Sequence, residues 1–186
     1  IRSSSARTSA FSGVQNQIDP FAGETIAALR NIGPGINAGV APVRLANSLK
    51  YDIAMSGFAA SATVAEATGA DRPYSLSLSY TGGPLFVGVA YDDPTGANDD
   101  VINVGARYQF GPVLLSGMYS DGNTNTNAKV KGALVGANVT VGSGDIKLGY
   151  ATLKVGSTTF NKRLGLGYHH NLSKRTKVYV DYARDS

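Results

Sequence analysis

From about residue 44 onward the chain breaks into runs of roughly ten residues in which apolar and polar side chains alternate, the pattern of a strand with one oily and one wet face. Tyr74 to Thr81 is the cleanest run: Tyr74, Leu76, Leu78 and Tyr80 share one face, and Ser75, Ser77, Ser79 and Thr81 share the other. The same reading sets Leu45, Leu49, Tyr51 and Ile53 against Arg44, Ser48, Lys50 and Asp52, and Phe58, Ala60, Ala62 and Val64 against Ser61 and Thr63. Leu85, Val87, Val89 and Tyr91 oppose Gly88, Ala90 and Asp92; Ile102, Val104, Ala106, Tyr108 and Phe110 oppose Asn103, Gly105, Arg107 and Gln109. Further runs fall near 113–120, 130–141, 146–155, 163–172 and 176–184. The pattern predicts about ten strands with almost no helix between them.

Connectors alternate in length. Met55-Ser56, Gly82-Gly83-Pro84, Gly111-Pro112, Gly142-Ser143-Gly144 and Ser173-Lys174-Arg175 read as tight turns. Between them fall longer polar stretches, Thr68 to Pro73, Asp93 to Asp100, Asp121 to Asn127 and Gly156 to Asn161. Short and long in alternation predict an antiparallel up-and-down meander with tight turns on one rim and loops on the other. Tyr51, Tyr80, Tyr108 and Tyr168 fall toward the turn rim in phase with the apolar faces, and Tyr91, Tyr119 and Tyr182 toward the loop rim. Two aromatic rings about an apolar band suit a lipid-facing barrel wall, because a phenol prefers the bilayer interface with its hydroxyl wet. A soluble sandwich would bury its apolar face in a core and needs no such rings.

The first 43 residues are rich in Ser, Ala and Gly and hold no period of two. Asp19-Pro20-Phe21 offers an N-cap and a first-position proline, so a short helix over Glu24 to Arg30 is expected, ended by Gly33-Pro34-Gly35. Phe21, Ile26, Leu29 and Ile32 point to packing of this stretch rather than disorder. The division expected is a loop region over 1–43 and strands over 44–186.

Composition narrows the function classes. Of 186 residues 16% are charged, fewer than in an ordinary globular domain; there is no Cys or Trp, and the net charge is +4. No apolar run reaches the roughly 18 residues of a membrane helix. Without cysteine there is no disulfide framework, thiol nucleophile or zinc-cysteine site. His169 and His170 are adjacent, and neighbours on a strand point to opposite faces, so they cannot chelate one ion together. No metal, cofactor or nucleic-acid partner is expected.

Arg44-Leu45-Ala46-Asn47-Ser48-Leu49-Lys50-Tyr51, followed by Gly57-Phe58, resembles the strand after the inward-folded loop in the general porins of Neisseria-type and related betaproteobacteria. Leu164-Gly165-Leu166-Gly167-Tyr168-His169-His170-Asn171-Leu172-Ser173-Lys174-Arg175-Thr176-Lys177-Val178-Tyr179 resembles that family's G-x-x-Y-x-L-S-K-R-T-x-x-Y hairpin. The resemblance implies a sixteen-stranded, homotrimeric channel of the cell outer membrane, in contact with lipid and lipopolysaccharide, with a long third loop folded into the lumen. The strands here would be numbers six to fifteen, with about five preceding Ile1 and one following Ser186.

Such a channel has no catalytic step; its chemistry is the width and electrostatics of the lumen. In the phases above, Arg44, Lys50, Arg107, Lys147, Arg163 and Lys177 point inward, opposed by Asp52 and Asp181. This positive balance favours small anionic or neutral solutes. The resemblance further implies a constriction in which Arg44 faces Asp19 and Glu24. Two rival classes fit the pattern less well. A ten-stranded outer-membrane protease would place its catalytic groups at the loop rim, whereas His169 lies toward the turns. A soluble ligand-binding barrel would need an apolar lumen and a polar exterior. Asp92-Asp93 and Asp99-Asp100 read as a solvated acidic rim in preference to a divalent-cation site.

Overall fold

The computed structural model describes residues 5–22, 25–28, 42–67, 71–173 and 175–186. Two short strands, β1 (Ala6–Arg7) and β2 (Arg44–Leu45), pair with each other. The rest of the chain builds one antiparallel sheet of ten strands in sequence order: β3 (Ser48–Met55), β4 (Phe58–Ala65), β5 (Tyr74–Gly82), β6 (Leu85–Asp93), β7 (Asp100–Phe110), β8 (Val113–Asn123), β9 (Lys129–Val141), β10 (Gly144–Val155), β11 (Thr158–Asn171) and β12 (Lys177–Asp185). It is the meander expected from the alternation, with β3 and β12 as its edges.

The two faces differ as the period of two requires. One carries Leu49, Leu76, Val89, Val104, Val135, Leu148, Leu166 and Val180, all exposed; Leu49 is 73% exposed and Val135 58%, values that an aqueous surface would penalise and a hydrocarbon layer would not. Aromatic pairs mark its margins: Phe58 with Tyr80 at 4.7 Å and Tyr108 with Phe110 at 4.3 Å toward the turns, Tyr74 with Tyr91 at 5.9 Å toward the loops. Across the other face lie residues 8–22 and 25–28, which bury Val14, Ile18, Phe21, Ala27 and Ala28. We call this the inner face. Among the described residues no helix is long and apolar enough to cross a membrane.

Three details depart from the sequence reading. Arg44 and Leu45 do not open β3: Asn47 takes a left-handed backbone (φ 49°), which interrupts the alternation so that Leu45 is buried while Leu49 is exposed. The helix lies before Asp19, as a π-helical turn Phe11–Gln15 followed by Asn16–Ile18. Asp19 is extended (ψ 119°), because the residue before a proline is pushed out of the helical region; residues 25–28 form a bend and turn. Glu24, Leu29, Ile32 and Gly33-Pro34-Gly35 lie outside the described residues, and Ile26, expected to pack, is 72% exposed. Lastly, the connection expected over Gly156 to Asn161 is the tight turn Gly156-Ser157, with Gly156 at φ 61° and β11 starting at Thr158.

Candidate functional site

The inner face is a polar wall, and the segment over residues 8–22 and 25–28 is fastened to it from several strands. Ser9 Oγ lies 2.8 Å from both Ser61 Oγ and Thr63 Oγ1 on β4, and the Ala10 N–H donates to Ser75 Oγ on β5 at 2.9 Å. Further along, the wall's cations donate to the segment. Lys50 Nζ reaches Ser12 Oγ (2.8 Å), Arg107 Nη1 the Gln17 carbonyl (2.8 Å) and Lys147 Nζ the Pro20 carbonyl (2.6 Å). Arg163 Nη1 reaches the carbonyls of Ala28 (3.0 Å) and Ile26 (3.4 Å). These carbonyls belong to an irregular stretch without ladder partners, so charge-assisted donors from the wall satisfy them.

Glycines make room for the same crossing. A Cβ at Gly88 on β6 would stand 3.0 Å from Val14 Cγ2, and one at Gly105 on β7 would stand 2.8 Å from Ile18 Cγ1. On β9 the ring of Pro20 closes over Gly136, and on β11 a Cβ at Gly165 would stand 2.9 Å from Phe21 Cε2. Small wall residues on β6, β7, β9 and β11 thus form a track that seats Val14, Ile18, Pro20 and Phe21. The period-two pattern marks these glycines as inward but carries no sign of what lies over them.

All the inward cations expected on the long strands face this side, and all but Lys177 have local partners. Lys50 pairs with Asp52 at 3.2 Å. Arg163 forks onto Asp185, Nε to Oδ1 and Nη2 to Oδ2 each at 2.6 Å; Asp185 was not anticipated as a wall residue, although its odd position on β12 shares the phase of Asp181. Lys177 is exposed at the start of β12, within electrostatic range of Lys147. Asp181 does not stand free in the lumen: its Oδ1 lies 3.0 Å from His169 Nε2, and both side chains are almost fully buried near the rings of Phe21 and Tyr179. His170 faces outward, its Nδ1 3.1 Å from the Tyr168 hydroxyl, so the two histidines do point apart.

Asp19 is buried, its Oδ1 accepting from the Phe21 N–H at 3.0 Å, and its charge is felt by Lys147 and Arg163. Arg44 is exposed on β2 directly opposite Arg7, whose guanidinium lies 5.3 Å from the Phe11 ring centre. Arg7 is a cation near Arg44 that no motif announced. At the loop rim, Asp92 faces inward and is 2% exposed rather than solvated, whereas Asp93, Asp99 and Asp100 are partly exposed. Among the described residues no three His, Cys, Asp or Glu side chains converge to hold a metal ion.

A family profile described as Gram-negative porin matches residues 6–186. Outer membrane porin protein 32 of Delftia acidovorans is 30% identical over 133 residues, which is 65% of this chain and 38% of that protein. The solved anion-selective porin from Comamonas acidovorans superposes with a TM-score of 0.78 at 26% identity, covering 97% of this chain and 61% of that one. In-vitro folded OmpT of Vibrio cholerae in its trimer form superposes with a TM-score of 0.68 at 15% identity, covering 97% and 64%, a likeness of fold alone. The chain therefore spans about two fifths of the curated relative and about three fifths of the first solved one.

Proposed function

The chain belongs to the Gram-negative porin family, proteins of the outer membrane that form channels rather than catalyse reactions, and from that premise we propose that it builds part of the wall and constriction of a water-filled pore for small hydrophilic solutes, with anions preferred. The observation that carries the reading is the division of the sheet: apolar side chains outward, and inward a polar wall on which, among the described residues, Arg107, Lys147 and Lys177 have no carboxylate within ion-pair distance. Asp52, Asp181 and Asp185 are each held by a neighbouring base. Such a wall raises the local concentration of anions. The 26%-identical relative described as anion-selective supports the same sign.

Residues 1–43 act as the lumen region and 44–186 as barrel wall. Arg44, with Asp19 and Glu24, sets the field at the constriction, while Lys50, Arg107, Lys147, Arg163 and Lys177, with Asp52 and Asp181, line the pore. The whole protein assembles as a homotrimer in contact with lipid and lipopolysaccharide. Neither rival reading is favoured. His169 is sealed beneath Phe21 with Asp181, away from the loop rim a protease would use, and the exposed apolar outer face is the reverse of a soluble binding barrel. The test is incorporation of the full-length protein into planar bilayers: discrete, ohmic conductance steps are expected, and a bilayer that stays silent with correctly folded protein would refute the channel.

A further inference from the structure

Two titratable side chains of the inner face, His169 and Asp181, are sealed off, 3% and 1% exposed, with Nε2 3.0 Å from Oδ1. Their surroundings do not complete them: His169 Nδ1 and Asp181 Oδ2 find no hydrogen-bond partner among the described residues. A buried polar pair with two unanswered atoms adds little stability, because apolar side chains of similar volume pack at least as well. What it supplies is direction. A neutral imidazole bonded to a carboxylate through Nε2 carries its proton there, and that bond fixes the plane of the ring. The fixed ring stands between two aromatic neighbours. The Tyr179 centroid lies 5.2 Å away at an interplanar angle of 37°, and that of Phe21 on the inserted segment 6.4 Å away at 59°. Carboxylate and Phe21 also share one space. Asp181 stands opposite Gly167 across the β11–β12 ladder, and a Cβ on Gly167 would collide with Asp181 Oδ1 and stand 2.9 Å from Phe21 Cε1. Val14 and Ile18 each rest on one glycine, whereas Phe21, 1% exposed, lies over both Gly165 and Gly167 and against a pair that cannot give way without breaking its hydrogen bond.

We propose that His169 and Asp181 form a clasp that positions Phe21 against β11 and β12 and so fixes how far the inserted segment stands into the lumen. Both are positioning residues, acting through Phe21. With one partner removed, the other is left buried and unpaired, and the site reorganises to satisfy it. Phe21 then loses its wall and swings toward the lumen. The effect is steric, so it persists at salt concentrations that screen the charges of the wall. The inference rests on the pore reading above, which the parental conductance tests separately.

The experiment measures single-channel conductance and open-channel noise of the full-length protein in planar bilayers of potassium chloride near 1 M, where screening shortens to about 3 Å. His169→Ala and Asp181→Ala should each lower conductance by about a third or more and raise the noise, because both release the same ring. His169→Gln should restore both readings, since its carboxamide N–H takes the place of Nε2–H toward Asp181. In a Phe21→Ala background neither alanine substitution should change the readings further. Asp181→Ala leaves a neutral imidazole rather than an unpaired carboxylate, so it carries the test even where His169→Ala does not fold. Parental conductance and noise in Asp181→Ala would overturn the clasp. So would a His169→Gln variant as impaired as His169→Ala, or an equal loss with and without the Phe21 ring. A conducting parent with unchanged variants sinks the clasp alone; a silent parent sinks the pore reading and the clasp with it.

Discussion

At the scale of single residues, the inner wall shows why charge sign alone is an incomplete description of a pore. Arg107, Lys147 and Arg163, which we propose line the lumen, also hold down the segment proposed to narrow it by donating to Gln17, Pro20, Ala28 and Ile26. The glycines opposite are the steric half of that arrangement. Gly105→Leu should push Ile18 off the wall and into the lumen, lowering single-channel conductance, whereas Gly117→Val, on the outer face with its nearest neighbour 3.7 Å from the new Cβ, should leave conductance unchanged. Equal conductance in both variants would mean that the track does not position the segment. Arg44 and Lys177 offer a second contrast. Arg44→Glu reverses a charge beside the inserted segment and places a carboxylate opposite Arg7; Lys177→Glu does so at the turn rim. Low-salt selectivity should move further toward cations for Arg44→Glu, and equal shifts would place the narrowest point elsewhere.

Among elements, the strands were the most legible part of the chain and the irregular segment the least. A strand with lipid on one side and water on the other must alternate strictly, so Tyr74–Gly82 and Leu85–Asp93 could be read to within a residue. The connectors were legible wherever the chemistry forced a tight turn, as at Gly83, Gly111 and Gly142, each with positive φ. Gly156-Ser157 misled because Thr158, Thr159 and Asn161 look like loop residues, yet they extend β11 beyond the apolar band where polar side chains meet water. The segment over 8–28 carried no period because its shape is set by what it lies on, Ser77, Gly88, Gly105 and Gly136, and those contacts are remote in sequence. One turn carries visible strain: Ser56 adopts φ 50° beside Gly57 at φ 86°. Ser56→Asn should stabilise the barrel by roughly 0.5–1 kcal/mol, since Asn tolerates that region better, measured as a shift in the denaturant midpoint in micelles. A destabilised variant would show that the Ser56 side chain contributes something the backbone does not reveal.

For the whole molecule, the sheet's two edges, β3 and β12, are the feature that governs every functional statement. Unpaired strand edges are not tolerated in hydrocarbon, so the membrane-embedded form must pair them. The family match and the fold of solved porins supply the context in which ten consecutive strands form part of a closed wall. Within that wall, Lys50 and Arg163 are ion-paired, Arg107 and Lys147 are hydrogen-bonded to the segment and Lys177 is exposed, while Asp52, Asp181 and Asp185 are held by neighbouring bases. The central claim is that this imbalance makes the pore prefer anions. It is tested most directly by the zero-current potential of the full-length protein in a planar bilayer across a potassium chloride gradient at low ionic strength. The potential should lie toward the chloride equilibrium value and relax toward zero as salt is raised, because screening shortens to about 3 Å near 1 M. A potential lying toward the potassium equilibrium value at low salt would contradict it.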